Sequence, residues 1–324
     1  VTEDRGLRFA LLLDGKGGAT ELDWSSTANW TPAAGTLWLH LNREHEYVHR
    51  WLREDSGLSE AACDALLAEE TRPRCSSLPG GLLLNLRGVN LTPGAAPEDL
   101  VSVRIWAEPS RIISVRLRHV DAISDMRADL ASGEGACSAG DVLATLGRHL
   151  IGGLSPIVAA LEDQVDEVEQ ASVEGASQVT RDQLALVRRQ VILLRRYIAP
   201  QRQALELLHS EPAAPLAEAD RMHIQETTDR IARQVEALDA TRERSTLIQE
   251  LISIQLADQM TRGMYVLSMV AAIFLPLSLL TGLLGINVGG IPGSDHPYAF
   301  AIVVAALVVL FVAQIALLRW LRLL

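Results

Sequence analysis

The sequence predicts an α+β soluble domain continued by long helices into a two-helix transmembrane hairpin. Three observations carry that prediction. Met264–Asn287 (MYVLSMVAAIFLPLSLLTGLLGIN) contains no charged side chain. As a helix rising ~1.5 Å per residue it covers about 35 Å, enough for a bilayer core of about 30 Å. A second apolar run, Tyr298–Leu318, follows after a short loop. The remainder is soluble in character: beyond residue 263 the only formal charges are Asp295, Arg319 and Arg322, which leaves −12 on residues 1–263 against −11 for the whole chain. The implied division is a mixed N-terminal domain (1–135), a long-helix arm and stalk (136–263), a first span (264–287), an external loop (288–297) and a second span with the C-terminus (298–324).

The first of these reads as alternating strands and helices. Phe9–Leu13 before Asp14-Gly15 is a short strand with a turn signal, and Trp38–Leu41 is a second strand. Residues 45–55 and 58–70 have helical patterns broken by Ser56-Gly57. Leu82–Leu86 is a strand entered through Pro79-Gly80-Gly81. Val101, Val103 and Ile105 alternate with polar neighbours, as do Ile113, Val115 and Leu117, and Glu108–Arg111 supplies the turn of a β-hairpin. Residues 121–131 return to helix. No Gly-rich phosphate loop, nucleophile elbow or HExxH occurs, so the chain is not read as an enzyme.

From Ser138 the pattern becomes one of long helices. Asp141 to about Ser172 is expected as one helix, and the acidic run Glu162–Glu169 before the second helix is either a solvated helix end or a cation site. Thr180-Arg181-Asp182-Gln183 fits a capping box opening a second helix to His209, with Pro200 inside it. Pro212 and Pro215 separate a third. No Pro or Gly interrupts Leu216–Arg262, and the pattern runs on into the first span. A helix of this length, on the order of 100 Å, needs partners along it, so self-association is expected. Ile224, Ile231, Val235, Leu238, Ile252 and Leu256 form its apolar seam. Asp229, Glu236, Glu243 and Glu250 recur on the opposite face. That face is either an ordinary solvated surface or an acid-lined funnel for cations.

The acidic balance argues against nucleic acid as a partner, which needs a basic footprint, and is compatible with handling cations. Cys63, Cys75 and Cys137 form no CxxC pair, which gives neither a disulfide framework nor a zinc ribbon and suits a reducing compartment. The start, VTEDRGLRFALLLDG, is acidic with a short apolar run and is not read as a secretory signal. Arg262 precedes the first span, Arg319 and Arg322 close the second, and the connecting loop has no Lys or Arg. The positive-inside rule then puts both termini in the cytoplasm.

Met264, Leu267, Ala271, Leu275, Ser278, Gly282 and Gly285 share one face of the first span, a face of small and weakly polar side chains. Such a face serves either tight helix packing or a pore built from copies of the chain. Because no charge lies within the span, a pore made from it passes an ion that keeps much of its water. Pro276 loosens the backbone there.

The span ends in Gly285-Ile286-Asn287. With LPLSLLTGLLGIN, a short loop, one more span and a basic C-terminus, the chain resembles the CorA superfamily of divalent-cation transporters. That family closes its first span with Gly-Met-Asn, and GINVGGIPG resembles its ZntB zinc-transporter branch. The resemblance implies a homopentamer in the bacterial inner membrane. It places Asn287 in an outer selectivity ring with the backbone of Gly285 and Ile286, touching the metal through ion-bound water. Ser278, Leu275, Leu267 and Met264 would face the pore and Thr261 its inner mouth. Asp295 and His296 are candidates for cation capture in the loop, although His296 also suits a turn cap. The implied cargo is zinc, with cadmium, nickel or cobalt as further ions. Uptake is expected, with protons as a possible coupling ion and no resident cofactor. A magnesium or cobalt channel of the general CorA type is the alternative. A membrane-anchored cation sensor or scaffold is the alternative from another class.

Overall fold

A computed structural model of the chain describes residues 5–69, 72–90, 92, 94–96, 98–174, 178–286, 293 and 296–321. The α-carbon contacts divide it into two compact units, Val1–Gln249 and Glu250–Leu324. The first unit begins with β1 (Leu7–Leu13), β2 (Ala19–Leu22), the short α1 (Trp24–Thr27) and β3 (Leu37–Asn42). It continues with α2 (Glu46–Glu54), α3 (Glu60–Leu67), β4 (Arg74–Leu78), β5 (Gly81–Gly88), β6 (Val101–Ala107) and β7 (Arg111–Arg116). Then come α4 (Asp121–Ser132), α5 (Ala139–Gly152), α6 (Ser155–Glu174) and α7 (Gln178–Ser210).

The strands form one sheet in the order β2-β1-β3-β7-β6-β5-β4. Among the described residues only β3 and β7 run parallel; every other pairing is antiparallel. The near-continuous apolar runs of β3 and β5 follow from this, because helices cover both faces of the central strands and leave no wet face to require alternation. One face packs Leu37, Leu39 and Leu41 against Val48 and Leu52 of α2 and Ala62, Cys63 and Leu66 of α3. On the other face a Cβ at Gly88 would stand 2.4 Å from Leu150 of α5, so Gly88 is the residue that lets that helix approach β5. Gln201 of α7 binds the backbone of Arg87 from both sides, its Oε1 accepting from Arg87 N at 2.6 Å and its Nε2 donating to Arg87 O at 2.9 Å.

Two expectations are corrected here. The helix expected over Asp141–Ser172 is two helices, broken at Gly153-Leu154, where Leu154 N donates to Ile151 O and a new helix starts with Pro156 in its first turn. Two consecutive glycines followed by a proline three residues on terminate a helix more strongly than its apolar stripe continues it. Thr180 is not the N-cap of α7. The helix already runs at Gln178, and Thr180 is buried within its first turn.

The long third helix is α8 (Glu218–Leu284), 67 residues without interruption, and Pro276 does not end it. The second apolar run is α9 (Ala299–Trp320). By length and composition the apolar parts of α8 and α9 suffice to cross a membrane. The α5–α6 segment is less apolar, with a mean hydropathy of 1.3 against 2.2 for α8 and 3.0 for α9, and half of its most apolar stretch is buried inside the first unit, so core packing accounts for its apolar residues.

Candidate pore face and its surroundings

Within the second unit, helical geometry sorts the first span into two faces. Met264, Leu267 and Leu275 are 68%, 70% and 68% exposed, and Ser278 and Gly282 are exposed beside them. Ala271, on the same face, is half-buried. At 3.6 residues per turn the opposite face carries Met269, Ile273, Pro276 and Leu277, all half-buried. Leu280 on that side is 38% exposed, among the lowest values for a large side chain in this part of α8. On α9 the half-buried stripe is Val303, Leu307, Leu310, Gln314 and Leu318. Phe274, Leu277, Ser278 and Thr281 of α8 line one groove of about 290 Å³ with Leu307, Val308 and Phe311 of α9. Ser278 therefore stands at the margin between the open face and the α9 side.

The small residues on the open face are not required by this chain's own packing. A Cβ added at Gly282 or at Gly263 meets nothing within 4 Å. At Gly285 the neighbour is the helix's own Thr281 carbonyl, 3.0 Å away. Gly285 N donates to Thr281 O and Gly282 O and closes the last turn. Thr281 Oγ1 and Thr261 Oγ1 both donate back to helix carbonyls, at 3.0 Å to Leu277 O and 2.8 Å to Ala257 O, so neither hydroxyl proton points outward. Ile286 is 50% exposed. Asn287 and Asp295 lie outside the described residues, as does Arg322. His296 caps its turn, its Nδ1 accepting from Tyr298 N at 3.2 Å.

Along the stalk half of α8, Asp229, Glu236, Glu243 and Glu250 are all exposed, while Ile231 and Leu238 on the other side are fully buried. Asp229 accepts from Gln225 Nε2 at 3.0 Å. The acidic run on α6 is partly engaged: Arg244 of α8 donates to Asp166 at 2.6 Å and to Glu169 at 2.5 Å. Arg195 of α7 is paired with Asp239. Both bridges raise the arginine pKa through the hydrogen bonds to their carboxylates. Among the described residues no group of three or more His, Cys, Asp or Glu is arranged to hold a metal ion. The histidines are dispersed: His119 lies against Arg116, and His209 Nδ1 is 3.1 Å from Arg221 O.

Three polar side chains escaped the sequence reading. Gln314 sits within α9 with its Oε1 buried and unpartnered. Asn85 and Arg104 are buried in the sheet with unpartnered atoms. A lone amide in an apolar run is visible in sequence; burial of the other two depends on the sheet register.

An α/β body whose last helix continues into a membrane-length apolar segment, followed by a second such helix, has the makeup of a membrane protein with a large body outside the bilayer. The profile of the CorA-like Mg2+ transporter protein family matches residues 33–320. A divalent cation transporter of Pseudomonas aeruginosa, CmaX, is 41% identical over 303 residues, covering 92% of this chain and 91% of that protein. The zinc transport protein ZntB of Yersinia enterocolitica is 37% identical, covering 93% and 91%. The solved structure of full-length CmaX superposes with a TM-score of 0.85 over 99% of each chain, at 39% identity. This chain belongs to the CorA-like Mg2+ transporter protein family.

Proposed function

We propose that copies of this chain assemble into a pore that carries divalent cations, zinc foremost, across a bacterial inner membrane. Divalent-cation transport at the coarse level follows from family membership. The observation that carries the finer reading is the uncharged face of α8, with Met264, Leu267 and Leu275 each about two-thirds exposed and Gly282 open beside them. An open face bearing small residues fits other subunits and a lumen better than lipid tails, which have no use for a glycine.

In this reading the assembly is a homopentamer with α8 inside and α9 outside, and both termini are cytoplasmic. Asn287, with the backbone of Gly285 and Ile286, forms the outer ring. Its amide oxygens hold the metal through ion-bound water, because nothing in the span replaces a full hydration shell. Met264 and Leu275 are apolar constrictions that gate by dewetting. Thr261 lies at the inner mouth, and Asp229, Glu236, Glu243 and Glu250 line the approach. Asp295 and His296 concentrate cations outside. Zinc is supported by the GIN ending and by the ZntB relatives; cadmium, nickel and cobalt have similar hydrated sizes and charge. The membrane potential supplies ~2.3 kcal/mol per charge per 100 mV toward entry. Proton coupling would run through Asp295, His296 or the soluble acids, since no group of the α8 span titrates near neutral pH. The reading includes no resident cofactor.

Purified protein in liposomes loaded with a zinc-sensitive dye tests this. Zinc entry above empty vesicles, reduced in Asn287→Ala, is the expected result. Magnesium entry without zinc entry would favour the second reading, a magnesium or cobalt channel, which the broader name of the CmaX relative supports. No flux of either ion would favour a sensor or scaffold.

A further inference from the structure

We propose that the soluble domain binds a small inorganic anion between the side chains of Arg104 and Asn85. The two residues face each other across β5 and β6, and on that register their side chains share one face of the sheet. Arg104 is 2% exposed and Asn85 is 1% exposed. Arg104 Nη2 donates to Glu69 O at 3.2 Å, beyond the end of α3. Its Nε and Nη1 are buried without a partner, and so are Nδ2 and Oδ1 of Asn85. Buried polar groups in folded proteins are nearly always paired, so four orphaned atoms on two touching positions mark a missing partner.

Charge identifies that partner. Burial, and then the positive charges of Arg43 and Arg87, push the Arg104 pKa down to about 10, and among the described residues these two are the charged groups that act on it. Arg43 Nη1 is spent on Ala68 O at 2.5 Å, and the Arg87 guanidinium lies 3.9 Å from the centre of the Tyr197 ring. No carboxylate of the described residues acts on Arg104. A buried ion without a counter-ion is strongly unfavourable. Water would satisfy the hydrogen bonds and leave the charge; an anion satisfies both. Donors on Arg104 and on the Asn85 amide outnumber the single free acceptor, which also fits a negative ligand. With both side chains almost fully buried, the anion we propose is a small one, a halide or a single tetrahedral oxyanion.

The test uses the full-length protein. Crystals soaked separately in bromide and in selenate are measured at the absorption edge of each element. An anomalous peak within hydrogen-bond distance of Arg104 in either soak is expected, and the soak that gives it distinguishes halide from oxyanion. In parallel, thermal unfolding is followed as that anion replaces gluconate at constant ionic strength; the midpoint rises with anion concentration. Asn85→Leu, which leaves the guanidinium untouched, loses that rise, and Arg104→Met loses it wherever that variant folds. Absence of a peak in both soaks, or an undiminished rise in Asn85→Leu, overturns the proposal.

Discussion

Ser114 Oγ lies 2.8 Å from His40 Nδ1, and this contact joins two buried polar side chains that face each other across β3 and β7. Trp38 Nε1 donates to Ser114 Oγ at 2.9 Å, and the same hydroxyl stands 3.1 Å from Leu39 O. Nε2 of His40 is buried without a partner. Phe9 stacks on the ring with centroids 5.0 Å apart. Burial first, then the positive charges of Arg116 and Arg8, pulls the His40 pKa from 6.5 to about 3.

The folded state therefore holds His40 neutral where the unfolded chain would protonate it. Between pH 6.5 and about 3 the unfolded state binds the extra proton, so stability is full above 6.5 and falls as pH falls through this window. His40→Gln should flatten that part of the curve, whatever it does to stability at pH 7. Urea unfolding midpoints of the full chain from pH 7 to pH 4 check this, and parallel curves for the two proteins would refute it.

The helices beside the sheet should owe little to their ion pairs. Arg244, Asp166 and Glu169 are 44%, 59% and 48% exposed, so Arg244→Ala should cost at most about 1 kcal/mol and less at high salt. Leu238 is fully buried, and Leu238→Ala should cost about 2–5 kcal/mol. Denaturant titration of both variants compares them directly; equal losses would show that charge matters as much as packing here.

Gly282→Leu separates fold from flux. Nothing in the chain stands within 4 Å of the new Cβ, so the unfolding midpoint of the soluble domain should not move. If the α8 face lines a lumen, the added side chains obstruct it and zinc entry into liposomes falls steeply. Undiminished flux would place the pore on another face.

Leu275→Asn should do the opposite. Replacing an apolar ring by an amide ring removes a dewetting barrier, so leak at rest should rise. Conductance of planar bilayers holding the two proteins is the measurement, and unchanged resting current would remove Leu275 from the gate.

Much of this architecture was legible because burial leaves a one-dimensional trace. The hairpin of Val101–Ile105 with Ile113–Val115 alternates in sequence and pairs as read. The uninterrupted stretch after Leu216 became α8. The edge strands β2 and β4 went unread, since ATEL and RCSSL are mostly uncovered and edge positions need no apolar alternation. The grouping of Arg43, Asn85 and Arg104 was equally hidden. They lie far apart in the chain, and only the strand order β3-β7-β6-β5 gathers them on one face. The open face of the first span was legible as a small-residue pattern; that α9 takes the other side depends on how the two helices pack.

The single parallel ladder has a consequence for synthesis. The sheet consists of an antiparallel three-strand group with β1 at its centre, β2-β1-β3, and an antiparallel meander, β7-β6-β5-β4, joined where β3 meets β7. Emerging from the ribosome, the first group exposes Leu37–Asn42 as a bare apolar edge until Arg116 has been translated. That interval is when a chaperone is most needed, and it closes well before Met264 leaves the exit tunnel. The domain can thus be sealed before any membrane segment competes for insertion, and a ribosome stalled between β3 and β7 would release a fragment prone to aggregate.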